Sequence, residues 1–89
     1  MLMNKFEVTI IMVSFYSRNL IEKVIDLIDK EITIIVVENS NSTQCKEFLE
    51  NKYSNVQVIL SEENLGNGAG INIGLSNTNT KYAFYIDID

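Results

Sequence analysis

Apolar residues run almost unbroken from Val8 to Val13, with Thr9 the one polar interruption. This β-branched segment, residues 7–14, predicts a strand buried on both faces. Residues 19–30 change period. Leu20, Ile21, Val24, Ile25, Leu27 and Ile28 recur at helical spacing, and Glu22, Lys23, Asp26 and Asp29 fall on the other side. The spacing predicts an amphipathic helix with Leu20, Val24, Ile25 and Ile28 against a sheet, and Asn19 with Glu22 as its capping box. Residues 32–37 form a second apolar run and predict a second strand. Residues 42–52 predict a weaker helix with Cys45, Phe48 and Leu49 facing inward. Residues 56–60 and 82–86 predict strands three and four, with a short helix over 68–77 between them despite its glycines.

Strands and helices therefore alternate, with short loops between. That alternation predicts an α/β fold with a mostly parallel, Rossmann-like sheet. The commonest doubly wound order puts the strands in the sequence 3-2-1-4. Strands 1 and 4 then meet at the switch point, and a ligand crevice opens beyond their carboxyl ends. Three polar loops leave those ends, at residues 15–18, 38–42 and 87–89. They predict a small-molecule site.

Composition narrows the class. The chain has 89 residues, 46% of them hydrophobic, which speaks for a globular domain or part of one. Its net charge of −5 disfavours nucleic acid or an anionic membrane surface as a partner. With one cysteine and no histidine, neither an internal disulfide nor a zinc site is expected. The apolar stretch at 8–13 is too short to cross a membrane. A reducing cytoplasm is the expected location.

Each candidate motif has an ordinary structural reading beside the chemical one. Asp87 and Asp89 lie two apart just past a strand, so in extended geometry they point the same way and are able to share a divalent cation. Acids closing a buried strand are also ordinary turn chemistry. Gly66, Gly68, Gly70 and Gly74 are able to serve positive φ, approach to a ligand, or close helix packing. Position 71 is Ile and the segment follows strand 3, so the block is not a dinucleotide fingerprint. Glu38 and Asn39 end strand 2, where an acid is placed to accept hydrogen bonds from a ribose or a base edge. Tyr16 is a candidate for stacking on a base. Cys45 is expected to be an inert core thiol.

Taken in order, these segments resemble family 2 glycosyltransferases of the GT-A fold. Val13-Ser14-Phe15 is similar to the family's opening Val-(Thr/Ser)-(Tyr/Phe)-Asn, and Val36 to Ser40 to its Val-Val-Asp-Asn-(Gly/Ser). Asn64-Leu65-Gly66 with Gly70, Asn72 and Gly74 resembles its Asn-x-Gly…Gly-x-Asn-x-Gly block, and Asp87-Ile88-Asp89 its DxD motif. Tyr16 departs from the family's Asn, and Glu38 from its Asp. The glycine block leans toward the branch resembling rhamnosyltransferases of bacterial surface polysaccharides.

The resemblance implies a donor that is a nucleoside-diphosphate sugar and an inverting, metal-dependent displacement. Ser14, Phe15, Glu38, Asn39, Gly66 and Asp87 would bind the nucleotide, and Asp89 would hold Mg²⁺ or Mn²⁺. Residues 1–89 would be the nucleotide-sugar-binding part of an incomplete domain, with the catalytic carboxylate elsewhere. No catalytic residue is assigned within the chain, which is expected to be inactive alone. Strand 4, apolar and uncharged, is expected to be an edge through which the chain self-associates. The competing class is a non-catalytic nucleotide-binding or interaction module. A receiver-type signalling domain is a poorer fit, because Phe15-Tyr16-Ser17 supplies no acid after strand 1.

Overall fold

The computed structural model describes residues 4–61 and 66–88. A single 3-10 turn, Lys5–Glu7, leads into β1 (Val8–Ser14), α1 (Arg18–Ile25), β2 (Thr33–Glu38) and α2 (Thr43–Lys52). β3 (Val56–Leu60), α3 (Gly66–Ser76) and β4 (Tyr82–Tyr85) complete the order. The four strands lie in one sheet in the order β3-β2-β1-β4, and every pairing is parallel. This is the α/β, Rossmann-like arrangement read from the sequence.

The burial of each strand follows from its place. β1 lies between two neighbours and under helices on both faces, and all seven of its residues are buried. Alternate residues feed two cores. Ile10, Met12, Ile34, Val36 and Val58 join Ile21, Ile25, Cys45 and Leu49 on the face of α1 and α2. Val13, Ile35 and Val37 meet Ile71 and Ile73 of α3 on the other. Close approach of α3 to β1 depends on two glycines one turn apart. A Cβ at Gly70 would lie 2.9 Å from both Val13 methyl carbons, and one at Gly74 2.5 Å from Ile11 Cγ2. Both contacts are far inside van der Waals range, so these two positions serve helix-to-sheet packing.

Three side-chain expectations are corrected. α1 begins at Arg18, and the residues it buries are Ile21 and Ile25, with Val24 and Ile28 partly covered. Leu20 turns away and is 45% exposed. The apolar period beyond Ile25 continues only through tight i→i−3 turns, Leu27 N–H to Val24 O and Ile28 N–H to Ile25 O. No Asn19–Glu22 capping box forms, because the helix begins at Arg18 with Ser17 at its N-cap, which puts Asn19 inside the first turn; Glu22 pairs instead with Lys52 at 2.8 Å and Arg18 at 3.7 Å. Phe48 of α2 is half-exposed instead of inward, with the Arg18 guanidinium over its ring at 4.3 Å. Ser42 caps α2 in the ordinary way, its hydroxyl accepting from Cys45 N–H at 3.1 Å.

The two edges of the sheet differ. On β3 the outward backbone groups of Val58 are taken up by α2. Val58 N–H donates to Glu50 Oε2 at 2.8 Å, and Lys46 Nζ donates to Val58 O at 2.7 Å. Lys46 and Glu50 also pair with each other at 2.8 Å. On β4, Phe84 is 44% exposed and Tyr85 36%.

Candidate functional site

The carboxyl ends of β1 and β2 are held level. Ser14 stands in register with Glu38, Asn39 N–H donates to Ser14 O at 2.7 Å, and Ser61 N–H donates to Glu38 O at 3.0 Å. The backbone then turns sharply after each strand. Tyr16 has φ 56° and Asn41 φ 55°, the left-handed region. Asn tolerates that region, whereas a bulky Tyr there is an outlier that the surroundings must hold in place. Ser14 is fully buried, and its hydroxyl accepts from Ser17 N–H at 3.3 Å, while Ser17 Oγ donates to Phe15 O at 3.1 Å.

Between these turns and the start of α2 lies a cleft of about 390 Å³. That volume suits a small ligand or part of a larger one. Tyr16, Arg18 and Leu20 form one wall, and Ser40, Gln44 and Cys45 the other, with Glu38 between them. Leu20 is exposed, therefore, because it lines the cleft. The Glu38 side chain is almost wholly buried, and its Oε2 accepts from both the N–H and the hydroxyl of Ser40. Its Oε1 lies 3.6 Å from Cys45 Sγ. Burial, followed by the charge of Glu38, pushes the Cys45 thiol up to about 11. The thiol is thus protonated at neutral pH and donates to the carboxylate.

The remaining expected residues fall elsewhere. Phe15 is half-exposed and meets Tyr16 edge to face, with centroids 4.7 Å apart. Asn39 lies toward α3, where its Nδ2 reaches Gly66 O at 3.5 Å. Its Oδ1 is buried with no hydrogen-bond partner among the described residues. Gly66 opens α3 with φ 84°, a conformation that a side chain would strain. Asp87 is exposed just beyond β4. Ile86 N–H bonds Ile11 O, so Asp87 follows directly on a backbone bond between the end of β4 and β1. Asp89, with Asn64 and Leu65 of the glycine block, lies outside the described residues. Arg18, Ser40 and Cys45 were not singled out as site residues from sequence. Their signal was position alone, in or just after the polar loops that follow β1 and β2.

Residues 9–89 match the glycosyl transferase family 2. The chain belongs to that family. The match covers the sheet, the cleft and the Asp87 segment together. A comparison with curated proteins finds none that matches. No helix among the described residues is long and apolar enough to cross a membrane. Family 2 membership makes this a glycosyltransferase domain and implies that it binds a nucleotide sugar.

Proposed function

We propose that the cleft holds the nucleoside of a nucleoside-diphosphate sugar. The observation that supports this most is Tyr16, a bulky residue kept at positive φ beside a buried carboxylate. Backbone strain of this kind costs stability and is retained where geometry matters to a ligand. The Tyr16 ring offers a face for a base, and Glu38 accepts from a base or ribose donor. Ser40 and Cys45 hold the Glu38 carboxylate in one orientation, so a ligand meets a pre-formed acceptor. Phe15, Asn39 and Gly66 extend the site toward α3, whose N-terminal N–H groups favour the diphosphate. Ser14 supports the β1–α1 turn from below.

Asp87 would meet the ribose, and Asp89 would hold Mg²⁺ or Mn²⁺. The donor chemistry fits: hard carboxylate oxygens, few in number, suit a cation that takes its other ligands from phosphate and water. When bound, the metal neutralises charge on the departing diphosphate. In this reading transfer is inverting, the acceptor base lies outside the chain, and the 89 residues bind donor without turning it over. A role in bacterial surface polysaccharide synthesis, and a rhamnosyltransferase-like branch, rest on the Asn-x-Gly block alone. A cytoplasmic setting would supply such a donor.

Calorimetric titration with UDP, GDP and dTDP, with and without Mn²⁺, tests the reading. At least one should bind, and Glu38→Ala should weaken it about tenfold or more, the loss of a charged hydrogen bond. The chain alone should transfer no sugar. If no nucleoside diphosphate binds, the chain is an interaction module and the donor reading fails.

A further inference from the structure

We infer that Ser40 and Cys45 set the base specificity of the cleft: they fill Glu38 until it has room for one more donor, which selects uracil or thymine and turns guanine away. This rests on the nucleotide reading of the cleft and adds the choice of base. A carboxylate accepts hydrogen bonds at about four positions, two on each oxygen. Ser40 takes both positions on Oε2, one with its N–H at 2.9 Å and one with its hydroxyl. The Cys45 thiol takes one on Oε1, at 3.6 Å. A single position remains, on Oε1. Glu38 is 1% exposed, so it meets a ligand over a small area.

The bases differ in what they bring to such an acceptor. Guanine presents a ring N–H and an amino group side by side, and a carboxylate takes them with both oxygens at once. Here Oε2 is closed, so one guanine donor would be buried without a partner. Adenine and cytosine each present an amino group with two N–H bonds, one more than Glu38 accepts. Cytosine also sets a bare ring nitrogen, an acceptor, toward the carboxylate. Uracil and thymine present one ring N–H and nothing else that donates on that edge.

The walls of the cleft agree. The N–H of uracil lies between two carbonyls, so its edge reads acceptor, donor, acceptor. Its complement is an acceptor flanked by donors. Glu38 lies between a wall that carries Arg18 and a wall that carries Gln44, and both side chains bear N–H donors. Arg18 is steadied at the cleft by the Phe48 ring, 4.3 Å from its guanidinium carbon. It meets Glu22 through Nε at 3.7 Å, which leaves its terminal N–H groups to the cleft. Polar groups that a wrong base leaves unpaired are what give such a site its discrimination.

Calorimetric titration of the chain in Mn²⁺ with UDP, dTDP, CDP, ADP and GDP tests the choice of base. UDP or dTDP should bind at least about tenfold more tightly than the other three. UDP methylated at the ring N3 has lost the one donor and should bind at least about tenfold more weakly than UDP. Ser40→Ala removes the hydroxyl from Oε2 and opens a position there, so the gap between UDP and GDP should narrow several-fold. Cys45→Ala opens only the oxygen that already accepts, and the gap should stand. Should Ser40→Ala fail to fold by circular dichroism, the methylated UDP and the CDP comparison decide on the parent chain. If GDP binds as tightly as UDP and dTDP, or methylated UDP as tightly as UDP, the inference is overturned and the nucleotide reading survives. Equal narrowing by Ser40→Ala and Cys45→Ala would also overturn it. If no nucleoside diphosphate binds, the nucleotide reading fails and takes the inference with it.

Discussion

The Cys45 thiol lies 3.6 Å from the Glu38 carboxylate and donates to it, joining the first turn of α2 to the end of β2. Burial and the neighbouring charge hold the thiol at about 11. At pH 8 roughly one molecule in a thousand then carries the reactive thiolate. Folded protein should react with a disulfide reagent at a small fraction of the rate of denatured protein. Glu38→Gln removes the charge, lowers the thiol pKa and should speed the reaction several-fold with the fold unchanged. Equal rates for the two folded proteins would show that the carboxylate does not act on the thiol.

Tyr16 carries opposing demands. Its φ of 56° suits Asn, the residue usual in the family at this place, better than Tyr. Tyr16→Asn should therefore raise stability by about 0.5–1 kcal/mol in urea unfolding. The same substitution removes a stacking face and should weaken nucleotide binding. A variant both less stable and tighter binding would refute this account.

Two glycines on α3 should respond in opposite directions. At Gly74 an added methyl meets Ile11 Cγ2 at 2.5 Å, so Gly74→Ala must displace α3 or β1. It should cost about 1–3 kcal/mol, the usual cost of overpacking. At Gly68 nothing lies within 4 Å of the added carbon, and Gly68→Ala should gain up to about 1 kcal/mol of helix propensity. Thermal melts of the two variants shifting the same way would contradict the packing role.

The Glu50 clamp on β3 should show itself in acid. Burial, the largest influence, raises the Glu50 pKa, but hydrogen bonds from Lys46 and Val58 N–H outweigh it and hold the carboxyl below its ordinary 4.5. A depressed folded value means stability present above 4.5 and lost as pH falls through the folded pKa. Glu50→Ala should cost about 1 kcal/mol at pH 7 and flatten the loss of stability below pH 4.5. An unchanged acid limb in the variant would remove Glu50 from this role.

Metal dependence is the test of the Asp87–Asp89 pair. If Asp89 holds the cation, nucleoside diphosphate should bind more tightly with Mn²⁺ than without, and Asp89→Asn should abolish the difference. Asp87→Asn should weaken binding under both conditions, because its proposed contact is to the ribose. Equal affinity with and without metal in the parent protein would exclude the assignment to Asp89.

Much of this was legible in residue order. The apolar runs at 8–13 and 32–37 marked buried strands because a strand covered on both faces needs apolar side chains on both. Alternation with helical spacing then left few topologies, and the observed order β3-β2-β1-β4 is the expected one. The four motifs, in sequence, pointed to the family that the chain belongs to. Periodicity, however, carries spacing and not phase. The turn at Tyr16 starts α1 at Arg18, and that phase sends Leu20 to the cleft and Ile21 to the core. Phe48 was expected inward for the same reason, since a weak stripe does not say where its boundary falls. Partners distant in the chain were beyond reach of the sequence altogether. That Gly74 serves Ile11, that Glu50 and Lys46 seal Val58, and that Tyr16, Glu38 and Cys45 share one cleft are consequences of folding. Sequence determined which segments had to be buried; only the packed sheet decided which side chains meet, because contact depends on register and helix phase together.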